Sequence, residues 1–226
     1  MPDWWTYQPR DLLMFSPETY YRLFELHNAE LWPAQVLAFI GGLAILAMLV
    51  RRPPWAGRTI STLLAAAWAC VGFAYFFERY ATINLAAPYF GWTFLVQALL
   101  ILAGGVLAGR LRFDKPITAA GKAGFALFFF GLLVQPLMGP LLVRLWPGLE
   151  LFAIAPDPTT MATLGILLAA DRIRWELLVI PVLWCGVTGA TLATMGAPEA
   201  LLMPAAGLLA ILLAAYRSLT GDSAES

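Results

Sequence analysis

Apolar residues in this chain come in long blocks separated by short polar turns. The blocks Leu31–Val50, Thr59–Phe77, Pro88–Gly109, Ala123–Leu145, Leu177–Met195 and Ala200–Tyr216 are apolar nearly throughout. A helix rises 1.5 Å per residue, so ~20 such residues cover the ~30 Å hydrocarbon core of a bilayer. Six transmembrane helices are predicted on that ground. A seventh block, Leu149–Ala170, is equally apolar but is interrupted by Pro156-Asp157-Pro158. Each proline removes a backbone donor and pushes the preceding residue away from helical angles. The pattern predicts a helix that starts at Pro158 with Asp157 as its N-cap and runs to Ala170. Leu149–Pro156 is then an extended or re-entrant stretch. About 15 residues give about 22 Å, short of the membrane thickness, so this helix begins below the surface.

Ahead of the first block, "FSPETYYRLFELHNAELWPAQ" predicts a short helix. Ser16 suits the N-cap, Pro17 the first helical position and Glu18 the positive end of the dipole. Phe15, Tyr20, Phe24 and Leu31 fall on one face. Residues 1–30 therefore read as an amphipathic segment on the outer leaflet or over the outer mouth of the bundle. Residues 31–217 form the bundle, and 218–226 a disordered cytoplasmic tail.

Composition fixes the class. The chain is 61% hydrophobic and 12% charged, against about 45–50% and about 25% in soluble domains. The fold class is all-α integral membrane, a seven-helix bundle with an interrupted fifth span. The 14 Lys and Arg residues divide ten to four between alternate loops. Arg51, Arg52, Arg58, Arg110, Arg112, Lys115, Lys122, Arg172, Arg174 and Arg217 lie on one side; Arg10, Arg22, Arg79 and Arg144 lie on the other. The basic side is cytoplasmic by the positive-inside rule. The alternation requires Leu149–Ala170 to cross, which puts the N-terminus outside and the C-terminus inside a bacterial inner membrane. Trp32, Trp55, Trp92, Trp146 and Trp175 suit interfacial anchors.

Candidate chemistry centres on the interruption. Irregular backbone survives at membrane depth only inside protein or beside a water-filled cavity. Discontinuous helices with free N–H groups build solute sites in transporters. Asp157, Thr159, Thr160 and Thr163 are thus candidate solute ligands, joined by Gln97, Gln135, Thr188 and Thr191 from other spans. The competing reading of Asp157 is a helix cap at a water interface, and of the others interhelical hydrogen bonds. Pro136 and Pro140 kink their helix or free carbonyls. Gly186, Gly189, Ala193 and Gly196 offer a close-packing face.

Cys70 and Cys185 lie in apolar spans and read as packing residues. One histidine, His27, and no cysteine cluster leave no typical zinc or haem site. Met138, Met161, Met195 and Met203 read as gap filling rather than a soft-metal site. No cofactor and no resident metal are expected. Net charge is zero and no basic stripe is present, which argues against nucleic acid as a partner. The only lysines, Lys115 and Lys122, share a loop, which excludes a retinal Schiff base. No phosphate-binding glycine loop, nucleophile elbow or HExxH helix is present.

The segments "FSPETYYRLFELHNAELWPAQ" and "APDPTTMATLGILL" resemble a family of bacterial multi-pass membrane proteins that carries the label of a domain of unknown function, some of whose members are labelled permeases. The resemblance covers nearly the whole chain. Members similar to this one carry cysteine where this chain has Asp157, which replaces a thiol with a permanent acceptor. The resemblance implies no mechanism.

The leading expectation is a small-solute or ion permease whose site surrounds Asp157, with the lipid bilayer as its setting. The alternative is an accessory or assembly subunit that uses Phe128, Phe129 and Phe130 as an interface. An enzyme acting on lipid headgroups through Glu78, Glu150 or Asp157 is weaker. A polar cavity shared by Asp157, Gln97 and Gln135 would favour transport. The topology has its own test. A cysteine at Ser223 should be labelled by an impermeant maleimide only in inverted vesicles, and one at Thr6 only in intact cells; labelling of Ser223→Cys in intact cells would overturn the assignment.

Overall fold

The computed structural model describes residues 15–114, 118–141 and 146–221. Arg10, Lys115 and Arg144 lie outside the described residues, as do residues 222–226 of the predicted tail and the side chains of Pro140 and Trp146. Among the described residues every regular element is helical.

Six helices are long and apolar enough to cross a membrane. Helix α2 is Ala34–Arg51. Helix α3, Ala56–Cys70, continues as a π-helix over Val71–Arg79, and α4, Ala87–Ile101, as one over Leu102–Leu107. Helix α5, Ala119–Phe129, passes through a π-turn at Phe130–Val134 into α6, Gln135–Leu141. There the Gln135 N–H reaches back five residues to Phe130 O. The wide turn meets Pro136, which has no donor to continue an ordinary ladder; such local adjustments are how proline is tolerated in apolar helices. Helices α8, Trp175–Thr194, and α9, Leu202–Gly221, complete the six. Residues 218–221, expected in the disordered tail, continue α9 because the helical ladder does not stop at the first polar residues, and the Ser218 and Thr220 hydroxyls bond back to Ala214 O and Tyr216 O.

The N-terminal helix α1, Pro17–Leu31, starts as its sequence implies. Ser16 caps it by accepting from Thr19 N–H, and Pro17 occupies the first turn. It does not lie loose on a surface. Tyr20, Leu23, Phe24 and His27 are buried. Asn28 Nδ2 donates to Pro147 O and Leu149 O, and Arg79 pairs with Glu30. Thus α1 is a plate over one end of the bundle.

At the other end the basic loops meet. Asp171 N–H donates to Arg112 O, and the Asp171 carboxylate accepts from Asp114 N–H, both at 2.8 Å. Arg174 donates to Arg110 O. Between the two ends runs α7, Pro156–Ala169, a helix of 14 residues, all of them buried. Helix α7 is buried on every side and is the axis of the bundle, enclosed by α3, α5, α8 and α9. Glycines let it come close. A Cβ on Gly165 would lie 2.5 Å from Gly124 O, and one on Gly124 equally close to Gly165 O. Small residues facing each other allow this backbone approach in lipid. At its far end Arg217 of α9 donates to Leu168 O, Ala170 O and Asp171 O. A cation there satisfies carbonyls that no helical donor reaches and complements the negative end of the dipole.

Three expectations need correction. Helix α7 begins at Pro156, not Pro158, and its N-cap is Ala155, at φ −113° and ψ 150°, rather than Asp157. The physical reason is that proline fixes the helical φ and suits the first position, so the extended residue is the one before Pro156. Among the three phenylalanines assigned to an interface, Phe128 is fully buried; Phe129 alone is exposed, at 42%. Of the small-residue face on α8, Gly189 packs against Pro204, but Gly186 has open space before it and Gly196 takes a positive φ after the helix end.

The packing contrast is measurable. Gly165→Ala places a methyl against backbone and should cost about 1–3 kcal/mol, read as a lower unfolding midpoint in detergent. Gly186→Ala should be neutral or up to ~1 kcal/mol stabilising, from helix propensity alone. Equal effects would refute the close α5–α7 crossing.

Candidate functional site

Four N–H groups at a helix start have no partner within the helix. In α7 these belong to Ala155, Pro156, Asp157 and Pro158. The prolines have none to offer. Ala155 N–H donates to Leu151 O at 2.8 Å. Only the Asp157 N–H is left for the first turn to place. The turn before it, residues 151–155, is held by Thr159, whose hydroxyl accepts from Ala153 N–H at 2.9 Å and donates to Ala155 O at 2.7 Å. Ala153 sits at φ +63°, a conformation costly for a residue with a Cβ and kept only where surrounding bonds impose it. His27 of α1 adds its Nε2, 3.1 Å from Ile154 O.

Asp157 is 5% exposed. Its Oδ1 accepts from Trp184 Nε1 and Thr188 Oγ1 of α8, each at 2.8 Å. Two neutral donors and the positive end of α7 surround this carboxylate. Trp184 is itself held edge-on by Phe76, Phe90 and Phe94. Above Asp157 a small cleft of about 30 Å³, open at its mouth, is lined by Gln135, Met138, Glu150, Glu199, Leu192 and Met203, among others. The loop residues Glu150 and Glu199 mark its mouth at the α1 end, where Tyr21 Oη donates to Glu199 at 3.4 Å. Gln135 spends its Nε2 on Met203 Sδ at 3.9 Å, and its Oε1 is buried without a hydrogen-bond partner. Among the described residues the polar lining of the cleft is three carboxylates, the Gln135 amide and thioether sulfurs. Among the described residues no group of three or more His, Cys, Asp or Glu side chains is close enough to hold a metal ion. Tyr20 overlooks the same region. Burial first, then Tyr75, Glu150 and Asp157, push its phenol well above its ordinary range, so it stays a protonated donor.

The candidates separate into three sets. Asp157, Gln135 and Thr188 come together at the cleft or its floor. Thr159 and Thr163 serve the backbone instead. Thr163 donates to Thr159 O and accepts from Trp68 Nε1 at 2.7 Å. Thr191 bonds to Val187 O one turn back. Gln97 lies elsewhere, donating to Leu177 O near the basic end, and among the described residues it does not line the cleft that Asp157 and Gln135 share. Thr160 is fully buried and its hydroxyl has no hydrogen-bond partner.

Sequence reasoning missed Trp184 and Glu199. Trp184 carried a usable signal, since it is central in an apolar span rather than at its end, and a buried indole N–H needs an acceptor. It also lies four residues before Thr188, on the same helix face. Glu199 sits in a short polar turn and gave no signal.

Residues 17–224 match the family described as Family of unknown function (DUF6064). No curated protein and no solved structure matches the chain.

Two outcomes follow from this geometry. Asp157→Ala leaves the Trp184 and Thr188 donors without their acceptor and should cost about 1–3 kcal/mol for each, whereas Asp157→Asn keeps an acceptor in place and should unfold close to wild type. Equal losses in chemical denaturation would refute the bonding scheme. His27 gives a pH dependence: burial, aided by Arg79, lowers its pKa from 6.5 to about 4. The folded state therefore prefers the neutral ring. Its contribution should be complete above pH 6.5 and lost as pH falls towards 4. His27→Gln should flatten the unfolding midpoint across that window.

Proposed function

This chain belongs to the DUF6064 family, and we propose that it is a permease for a small cationic solute, taken up through the cleft above Asp157. One observation carries this reading: Glu150, Asp157, Glu199 and the unpartnered Gln135 oxygen line a single cleft that ends on a buried carboxylate. Carboxylate and amide oxygens, the main polar groups among the described lining residues, suit a positively charged solute. A cleft of about 30 Å³ suits a small cargo.

On this reading the chain crosses the bilayer seven times, six by long helices and once by Leu149–Asp171. That last crossing combines the turn at 151–155 with the short helix α7. The cleft opens at the α1 end, which the ten-to-four division of basic residues places outside. The opposite end is shut by Arg217 on the last carbonyls of α7 and by Asp171 against the α4–α5 loop. Release inward then requires α8 and α9 to move against α7, the rocking of elements around a fixed site that discontinuous helices support. The accessory-subunit reading has less behind it, because a flat apolar interface needs no carboxylate at the bottom of a cleft.

The experiment is a flux screen in proteoliposomes, using alkali cations, ammonium and small primary amines against anions and neutral solutes. A cation should be carried, and Asp157→Asn should abolish or uncouple its flux while the unfolding midpoint stays near wild type. Flux of that cation at the wild-type rate with unchanged pH dependence in Asp157→Asn would reduce Asp157 to a structural acceptor and overturn the proposal.

A further inference from the structure

At the basic end of the bundle a second cleft lies between the start of α3 and the loop that follows α4. It encloses about 1260 Å³, including open solvent, and Trp55, Arg58, Gly109, Arg112 and Asp114 are among its walls. Two arginines converge on Gly109. A Cβ there would stand 3.8 Å from Arg58 Nη2, and Arg112 Nε donates to Gly109 O at 3.4 Å. Gly109 has φ +58°, which glycine adopts without penalty, so the loop turns sharply and leaves the space open. Arg58 has no hydrogen-bond or ion-pair partner for its guanidinium among the described residues. Asp114 is the one acid in the wall, so the lining carries net positive charge.

We propose that this cleft holds the headgroup phosphate of an anionic phospholipid between Arg58 and Arg112. Guanidinium groups offer planar paired donors that fit phosphate oxygens. Position selects the lipid over a soluble phosphate. The cleft lies at the ends of the spanning helices α3 and α4, and Trp55 in its wall is 60% exposed, as in an aromatic belt at headgroup depth. Arg51, Arg52 and Arg110 extend the positive surface beside it. Basic pockets between transmembrane helices bind anionic headgroups in this way. The occupant pins the first turn of α3 to the α4–α5 loop. That loop also bonds to Asp171 through Arg112 O, so lipid occupancy bears on the closed end of the bundle.

The test is native mass spectrometry of the detergent-purified full chain titrated with phosphatidylglycerol, phosphatidylcholine and inorganic phosphate. Wild type should retain one phosphatidylglycerol at least tenfold more tightly than phosphatidylcholine. Arg58→Gln with Arg112→Gln should lose that preference. Arg22→Gln, which removes an exposed arginine at the α1 end, should keep it. Arg58→Lys with Arg112→Lys checks folding, and should retain the lipid with affinity between wild type and the glutamine pair. Retention of phosphatidylglycerol by the glutamine pair at the wild-type level would overturn the proposal. So would equal retention of phosphatidylcholine, or inorganic phosphate bound as tightly as the lipid.

Discussion

A helix that starts inside an apolar bundle has first-turn N–H groups that the apolar side chains around it cannot bond. The rest of this structure is arranged around that constraint. Two of the four orphan donors of α7 are deleted by Pro156 and Pro158, and a third, on Ala155, is spent within the preceding turn. The turn is locked by Thr159 and covered by α1. At the other end Arg217 supplies donors to three carbonyls. With three of its four first-turn donors accounted for and Arg217 at its other end, α7 can be shorter than the membrane and still occupy the centre. The glycine contacts with α5 then seat it there.

The same arrangement makes Asp157 available. A carboxylate in the first turn of a buried helix gains from the helix dipole, and the tryptophan and threonine of α8 fix one of its oxygens. The carboxylate lies at the base of a cleft whose other described polar side chains are Glu150, Glu199 and the Gln135 amide. Structural needs thus account for Thr159 and Thr163. Glu150, Glu199 and Gln135 bring carboxylate and amide oxygens to the same opening, which suits a cationic cargo.

How much of this could be read beforehand depended on range. The long apolar blocks, the start of α1 and the break before α7 are local features, encoded by composition and by proline. Their positions follow from the sequence to within a few residues. The helix α7 starts two residues before the expected Pro158, because Pro156 fits the first helical position equally well and Ala155 supplies the extended residue before it. The site itself was half legible. Asp157, Gln135 and Thr188 were identifiable as polar groups in apolar helices. Their grouping, and the exclusion of Gln97, depend on how α4, α6, α7 and α8 pack, and no periodicity encodes that. Glu199 joins from a loop whose position only the fold determines.

The central claim is that the carboxylate position at the start of α7 is reached from the α1 end and from nowhere else. Cysteine accessibility reads this directly. In a background with Cys70 and Cys185 replaced by alanine, Asp157→Cys would be treated with a small cationic thiol reagent in right-side-out and inverted vesicles, with Thr160→Cys as a buried reference. Modification of Asp157→Cys from the α1 side alone, with Thr160→Cys inert, is the expected result. An inert cysteine at 157 from both sides, or one modified from the basic side, would contradict it.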